Sequence, residues 1–247
     1  MIGRALGMAA VVAGVIAAPA LSTAPARAQS CPAPLAEAKR LVLVTAETMN
    51  DTAATMRLYE RTSAAVSWRA LGTAEPALIG RGGMGWSPFF VQLARRGEPI
   101  KVEGDKRAPA GIYKIGRSFG IVALSQPNYL QVTPDTICVH DLSSPAYNTI
   151  ASRARLGPAV SAENMSRALP MYRRGLLVDY PTDARKRAGS CIFIHVWRSP
   201  TTGTAGCVSM PEPRVEALQE FAADGAVLAI LPRGALDRLR GCLPQIN

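Results

Sequence analysis

Cys191-Ile192-Phe193-Ile194-His195-Val196-Trp197, then the loop-forming Ser199-Pro200-Thr201-Thr202-Gly203, then Thr204-Ala205-Gly206-Cys207, is the stretch on which the reading of this chain turns. Seven residues are few for a helix, and all but His195 are apolar, so the run predicts a buried strand with one imidazole inside it. The Ser/Pro/Thr/Gly segment predicts a connecting loop. After Cys207, Ser209-Met210-Pro211-Glu212 predicts a capping box, with Ser209 as N-cap and Glu212 reaching back to it. Val215, Leu218 and Phe221 give the helix that follows its apolar stripe. Cys207 would then stand just outside the positive end of that helix, where backbone N–H groups and the dipole stabilise a thiolate.

Working outward, the chain of 247 residues has 21 Gly and 19 Pro spread along it, 48% hydrophobic and 19% charged residues, and 6% aromatics. That composition supports a sizeable core, excludes a disordered scaffold, and favours many short strands and turns over a helical bundle. Strand-like runs occur at 41–45, through Leu58 and Trp68, at 111–115, 129–133, 136–139 and 176–180. The Gly-rich loop Gly80 to Gly85 lacks the Lys-Ser/Thr and strand-to-helix setting of a phosphate loop, and reads as a turn. The polar stretch Ser143 to Arg174 is the best candidate for a lid or a substrate-facing excursion. One large domain, or one domain with a short extension, accounts for the length.

The N-terminus reads as a leader. Met1-Ile2-Gly3-Arg4 is followed by an apolar run from Leu6 to Ala18 and by Ala26-Arg27-Ala28, an A-x-A site that predicts a cut after Ala28. The run is shorter than the ~20 residues a membrane span needs, and no other segment is long enough. A lipid anchor at Cys31 is the weaker alternative, because Ala28-Gln29-Ser30 lacks the expected branched apolar residue. Export to the periplasm or beyond is the expectation. Loss of the leader, with its two Arg and no acid, lowers the formal charge of +10 by two. The basic remainder suits an acidic envelope polymer as well as it suits a plain solvated face. No basic-aromatic run of a nucleic-acid module appears.

In an oxidising compartment four of the five cysteines can pair. Cys31 and Cys242 lie at the two ends of the mature chain, and domain termini are often close. Cys138 and Cys191 both lie in strand-like runs. Cys207, among small polar residues, is the expected free thiol. A Cys nucleophile needs a base within about 2.6–3.2 Å, and His195 on a buried strand beside a loop-borne thiol meets that need. His140, before Asp141, reads as a solvated turn residue. A backbone carbonyl can orient the base, and the N–H groups of Gly206 and Cys207 are candidates to face an oxyanion.

The order His195 then Thr204-x-Gly206-Cys207 resembles the signature of the L,D-transpeptidase family with the YkuD-type catalytic domain. Upstream, Lys101-Val102-Glu103-Gly104-Asp105-Lys106-Arg107 followed by Ala108-Pro109-Ala110-Gly111-Ile112-Tyr113 resembles the family's charged turn, Pro-x-Gly and strand. The resemblance covers roughly residues 98 to 231. It implies a mainly β, sandwich- or barrel-like catalytic domain with a few short helices over 98–247, and a strand-rich extension packed on it over 29–97. It also implies peptidoglycan stem peptides as substrate and a thioester on Cys207, with His195 as base and Gly206 and Thr204 as the rest of the catalytic motif. Ala205, Ser209, Trp197 and Tyr172 are the expected substrate contacts, and no metal or cofactor is implied.

The chain departs from the family in having Ala205 where His is common before the Gly-Cys pair, Ser209 where Arg or Asn is frequent, and a short interval from 195 to 207. The thioester can pass to an amine, giving transpeptidation, or to water, giving L,D-carboxypeptidase or endopeptidase activity. A sortase-like transpeptidase using Arg214, and an inactive murein-binding module, are the remaining alternatives.

Overall fold

The computed structural model describes residues 1–3 and 31–245. The apolar run of the expected leader and its cleavage site lie outside the described residues. Among the described residues thirteen strands and three α-helices follow in the order α1 (Ala33–Ala36), β1 (Arg40–Ala46), β2 (Ala53–Glu60), β3 (Arg69–Leu78), β4 (Met84–Trp86), β5 (Ala108–Gly120), β6 (Leu130–Gln131), β7 (Thr136–Val139), β8 (Ile150–Ser152), α2 (Arg153–Leu156), β9 (Ala162–Asn164), β10 (Gly175–Val178), β11 (Phe193–Val196), β12 (Val208–Met210), α3 (Glu212–Phe221) and β13 (Val227–Pro232). Short 3-10 turns connect several of them.

The large sheet runs β10-β11-β12-β3-β2-β1-β13-β5-β4, with β6 on β5. Because β10 also pairs with β5, the path of strands returns on itself in a barrel-like ring. The mainly β, barrel-like architecture implied by the motifs is the observed one.

Burial follows the patterning. Leu41-Val42-Leu43-Val44 is a continuous apolar run buried on both faces, and it pairs in parallel with the equally buried β13, Leu41 opposite Val227 through Ala46 opposite Pro232. Parallel strands covered on both sides carry such runs. On its other edge β1 pairs antiparallel with β2, where exposed and buried residues alternate as expected of a half-solvated strand. The meander read from 41 to 68 is therefore real, with its third strand beginning just after Trp68. Since β3 joins β12 and β1 joins β13, residues 40–86 are part of the same sheet as the rest.

The polar stretch 143–174 is not a bare loop. It supplies β8 and β9, which flank β7 in a separate three-stranded sheet. A second, smaller apolar cluster joins this sheet to the large one: Phe119, Val132, Cys138, Met165, Tyr172, Phe193 and Cys207. The Cys138–Cys191 disulfide crosses the same junction. Cys31–Cys242 ties the two ends of the described chain together across 211 residues. Both expected pairings are present, and Cys207 is free.

α3 buries Val215 and Leu218 as its stripe predicts, and Gln219 Nε2 donates to the carbonyls of Phe119 (3.1 Å) and Gly175 (2.9 Å), which pins the helix to β5 and β10. The expected capping box does not form. The helix begins at Glu212 behind Pro211, while Ser209 sits inside β12. Val208 and Met210 are fully buried and pair with Ile194 and Val196, so strand packing overrides the local capping preference.

Candidate active site

Three pieces of backbone converge at one cleft of about 390 Å³. β11 brings His195 and the adjoining parallel β12 brings Ser209, the two residues lying side by side in register. The segment 204–207 brings the cysteine. The small sheet and the turn after it bring Glu163, Met171 and Tyr172, so the polar excursion does face the cleft.

A short hydrogen-bonded turn positions Cys207. Thr204 Oγ1 donates to the Cys207 carbonyl at 2.7 Å and accepts the Gly206 N–H at 3.0 Å. Outside it, the Thr204 N–H donates to Ile79 O and the Arg81 N–H donates to Thr204 O, both within 2.9 Å, so the Gly-rich loop is the support of this turn. A side chain is excluded at Gly80, where a Cβ would lie 2.4 Å from Lys106 O. Gly206 has φ +145°, and a Cβ there would come within 3.0 Å of Arg107 O. The charged turn is the next layer out. Buried Lys101 Nζ pairs with Asp105 at 2.7 Å, Asp105 accepts the Arg107 N–H, and Arg107 donates to the carbonyls of Met49 and Met84.

His195 is buried, and its Nδ1 lies 2.8 Å from Val196 O. A carbonyl only accepts, so Nδ1 carries the hydrogen and Nε2 keeps its lone pair. The Tyr172 ring meets the imidazole edge-on at 5.5 Å between centroids. Burial lowers the His195 pKa to about 4, against a smaller upward pull from the Val196 carbonyl. Burial likewise pushes the Cys207 thiol up to about 12, although the Phe193 N–H opposes it. The thiol donates to Cys191 O at 3.4 Å. This corrects the expectation of an acidified cysteine: β12 intervenes between Cys207 and the start of α3, and desolvation governs the sulfur instead.

The other expected site residues divide. Thr204, Ala205, Gly206, Ser209 and Tyr172 line the cleft with Cys207 and His195, whereas Trp197 does not; its N–H closes the sheet on Met210 O. The Gly206 N–H is committed to Thr204, so of the two amides proposed for an oxyanion that one is already spent. The Ser209 hydroxyl is buried and has no hydrogen-bond partner. Arg214, the third residue of a sortase-like triad, is away from the cleft and ion-paired with Glu75 at 2.7 Å.

Among residues not expected, Glu163, Glu103, Arg81, Lys106 and Arg198 also line the cleft. So does His140, which is exposed and directly follows β7. The polarity of 143–174 marked the segment but carried no periodicity that singles out Glu163.

A family model for the L,D-transpeptidase catalytic domain (YkuD) matches residues 48–230, most of the chain. The chain belongs to the L,D-transpeptidase family. An L,D-transpeptidase-type activity with peptidoglycan as substrate class follows from membership. No curated protein and no solved structure matches it. Among the described residues of this L,D-transpeptidase no helix is long and apolar enough to cross a membrane, and no three His, Cys, Asp or Glu side chains are grouped to hold a metal.

Proposed function

We propose that this L,D-transpeptidase is an exported cysteine acyltransferase that moves peptidoglycan stem peptides through a thioester on Cys207. The observation that carries the reading is the state of the five cysteines. Four are closed in two disulfides, as suits an oxidising compartment, and the fifth keeps its thiol in the cleft that holds His195. A spare thiol retained in such a compartment, beside an imidazole whose Nδ1 is already tied, has the parts of a nucleophile and base. This weighs against an inactive murein-binding module, as the distant Arg214 weighs against a sortase-like site.

With His195 near 4 and Cys207 near 12, the resting pair is neutral, a thiol and an imidazole. The proton therefore passes to Nε2 as sulfur attacks the carbonyl that precedes the terminal residue, and His195 returns it to the leaving amine. Tyr172, Ala205 and the unpartnered Ser209 hydroxyl are the substrate contacts of this reading; Thr204 and Gly206 hold the cysteine. Water reaching the same thioester would give carboxypeptidase or endopeptidase products.

The test is intact-mass spectrometry of the purified protein after incubation with muropeptides or a carbapenem. An adduct on Cys207, absent from Cys207→Ala and from His195→Ala, is expected. A clean wild-type mass under both treatments would overturn the reading.

A further inference from the structure

The cleft contains a carboxylate for which the mechanism above has no use. Glu163 lies on β9 opposite Cys138, and its Oε2 accepts the Tyr172 hydroxyl at 2.9 Å. Its Oε1 receives no donor from the described residues, and no Lys or Arg among them pairs with it, in a chain that has 28 Lys and Arg against 18 Asp and Glu. Glu103, the other carboxylate of the cleft, is in a different position, since it accepts the hydroxyls of Tyr147 and Ser190 and the Gly104 N–H. Arg81 comes from the Gly-rich loop, Lys106 from the charged turn and Arg198 from the loop after β11, and none of them is on the small sheet.

Burial raises the Glu163 pKa, and the Tyr172 bond and the charge of His140 oppose it only in part. A half-buried carboxylate with no Lys or Arg paired to it is costly. What the chain does not supply, a ligand cation can. The location fits such a ligand, because Tyr172 touches both groups: its hydroxyl is on Glu163, and its ring is edge-on to His195. One phenol separates this carboxylate from the candidate base.

We propose that Glu163 is the acceptor-side catalytic residue, whose carboxylate binds the primary ammonium of the incoming acyl acceptor and takes a proton from it. The proposal deepens the thioester reading and rests on it. One N–H proton passes to Glu163 and leaves a neutral amine. The amine nitrogen then bonds to the thioester carbon and the C–S bond breaks, with sulfur leaving as the thiolate. A second N–H proton passes to His195 Nε2 and from there to the sulfur, so the thiol is restored and an amide is made, while Glu163 gives its proton up to solvent and returns to the carboxylate. Water has no charge for Glu163 to hold, so the carboxylate selects amine over water.

Two measurements on the full chain decide it. The first is the partition of one thioester between aminolysis and hydrolysis at neutral pH, with a cationic amine such as N-acetyl-lysine amide and with hydroxylamine, which is largely uncharged there. Glu163→Gln should lower the partition to the cationic amine at least about tenfold, the equivalent of one charge-assisted hydrogen bond, and should change the hydroxylamine partition far less. Equal loss for both nucleophiles, or no loss, overturns the proposal. The second measurement needs neither turnover nor a variant: calorimetric binding of N-acetyl-lysine amide against neutral N-acetyl-norleucine amide. Wild type should prefer the cation, Glu163→Gln should lose the preference, and Glu163→Asp should keep part of it. Absence of a preference in wild type overturns the ammonium site, whereas absence of any thioester overturns the acyl-transfer reading alone.

Discussion

Lowering the pH from about 7 to 4 should cost this protein stability through His195 in particular. The imidazole is buried with Nδ1–H on Val196 O, and desolvation lowers its pKa from 6.5 to about 4. In the unfolded chain the same imidazole takes up a proton near its ordinary value. Between the two values the unfolded state therefore binds more protons than the folded one, and stability falls as pH falls through that window. Above about pH 6.5 the contribution is fully present. At 1.36 kcal/mol per pH unit the whole window amounts to about 3 kcal/mol, a large part of a typical domain's stability. The assay is urea unfolding at about pH 7, 5.5 and 4, with disulfides intact, for wild type and His195→Gln. The comparison is the change with pH and not the absolute stability, so groups common to both proteins cancel. Glu98, lowered to about 2 by Arg238, titrates mostly below the window in any case. Wild type should lose about 3 kcal/mol more than the variant. Parallel losses in the two proteins would show that His195 is hydrated in solution, and the neutral thiol–imidazole pair would fall with it.

Two further outcomes follow from the surroundings of the cysteine. Because burial holds the Cys207 thiol near 12, iodoacetamide should label it slowly at about pH 6 to 8, with the rate still rising well above the ordinary thiol range; rapid single-site labelling at pH 6, followed by peptide mapping, would restore an acidified thiolate. Gly206→Ala should destabilise by roughly 1–3 kcal/mol, since it combines a φ of +145° with a Cβ at 3.0 Å from a backbone oxygen; an unchanged melting temperature would mean that the 204–207 turn shifts freely.

How much was legible in advance differs from element to element for physical reasons. The strands at 41–44 and 193–196 announce themselves because a run buried on both faces is apolar almost throughout, His195 being the exception, and the disulfide partners could be ranked from chain position and local patterning alone. The stripe of α3 was readable as well, but its start was not. Ser209 and Glu212 satisfy the local rule for a cap, yet the energy gained by burying Val208 and Met210 between neighbouring strands outweighs one capping bond. That displacement of the cap from Ser209 to Pro211 changes the electrostatics of the candidate nucleophile, from a thiol facing a helix terminus to one packed in the cluster of Phe119, Tyr172 and Phe193.

The sequence by itself determined the mainly β class, the family motifs around His195 and Cys207, and which cysteine is left unpaired, since each of these depends on residue type and short-range order. Tertiary structure alone decided that residues 40–86 complete the same sheet as β11 and β12, that Trp197 lies outside the cleft, and that Glu163 lies inside it with no Lys or Arg of the described residues paired to it. Those outcomes depend on which strands meet after long crossings of the chain. Local propensity does not encode such meetings, because the free energy that selects them comes from packing among distant residues.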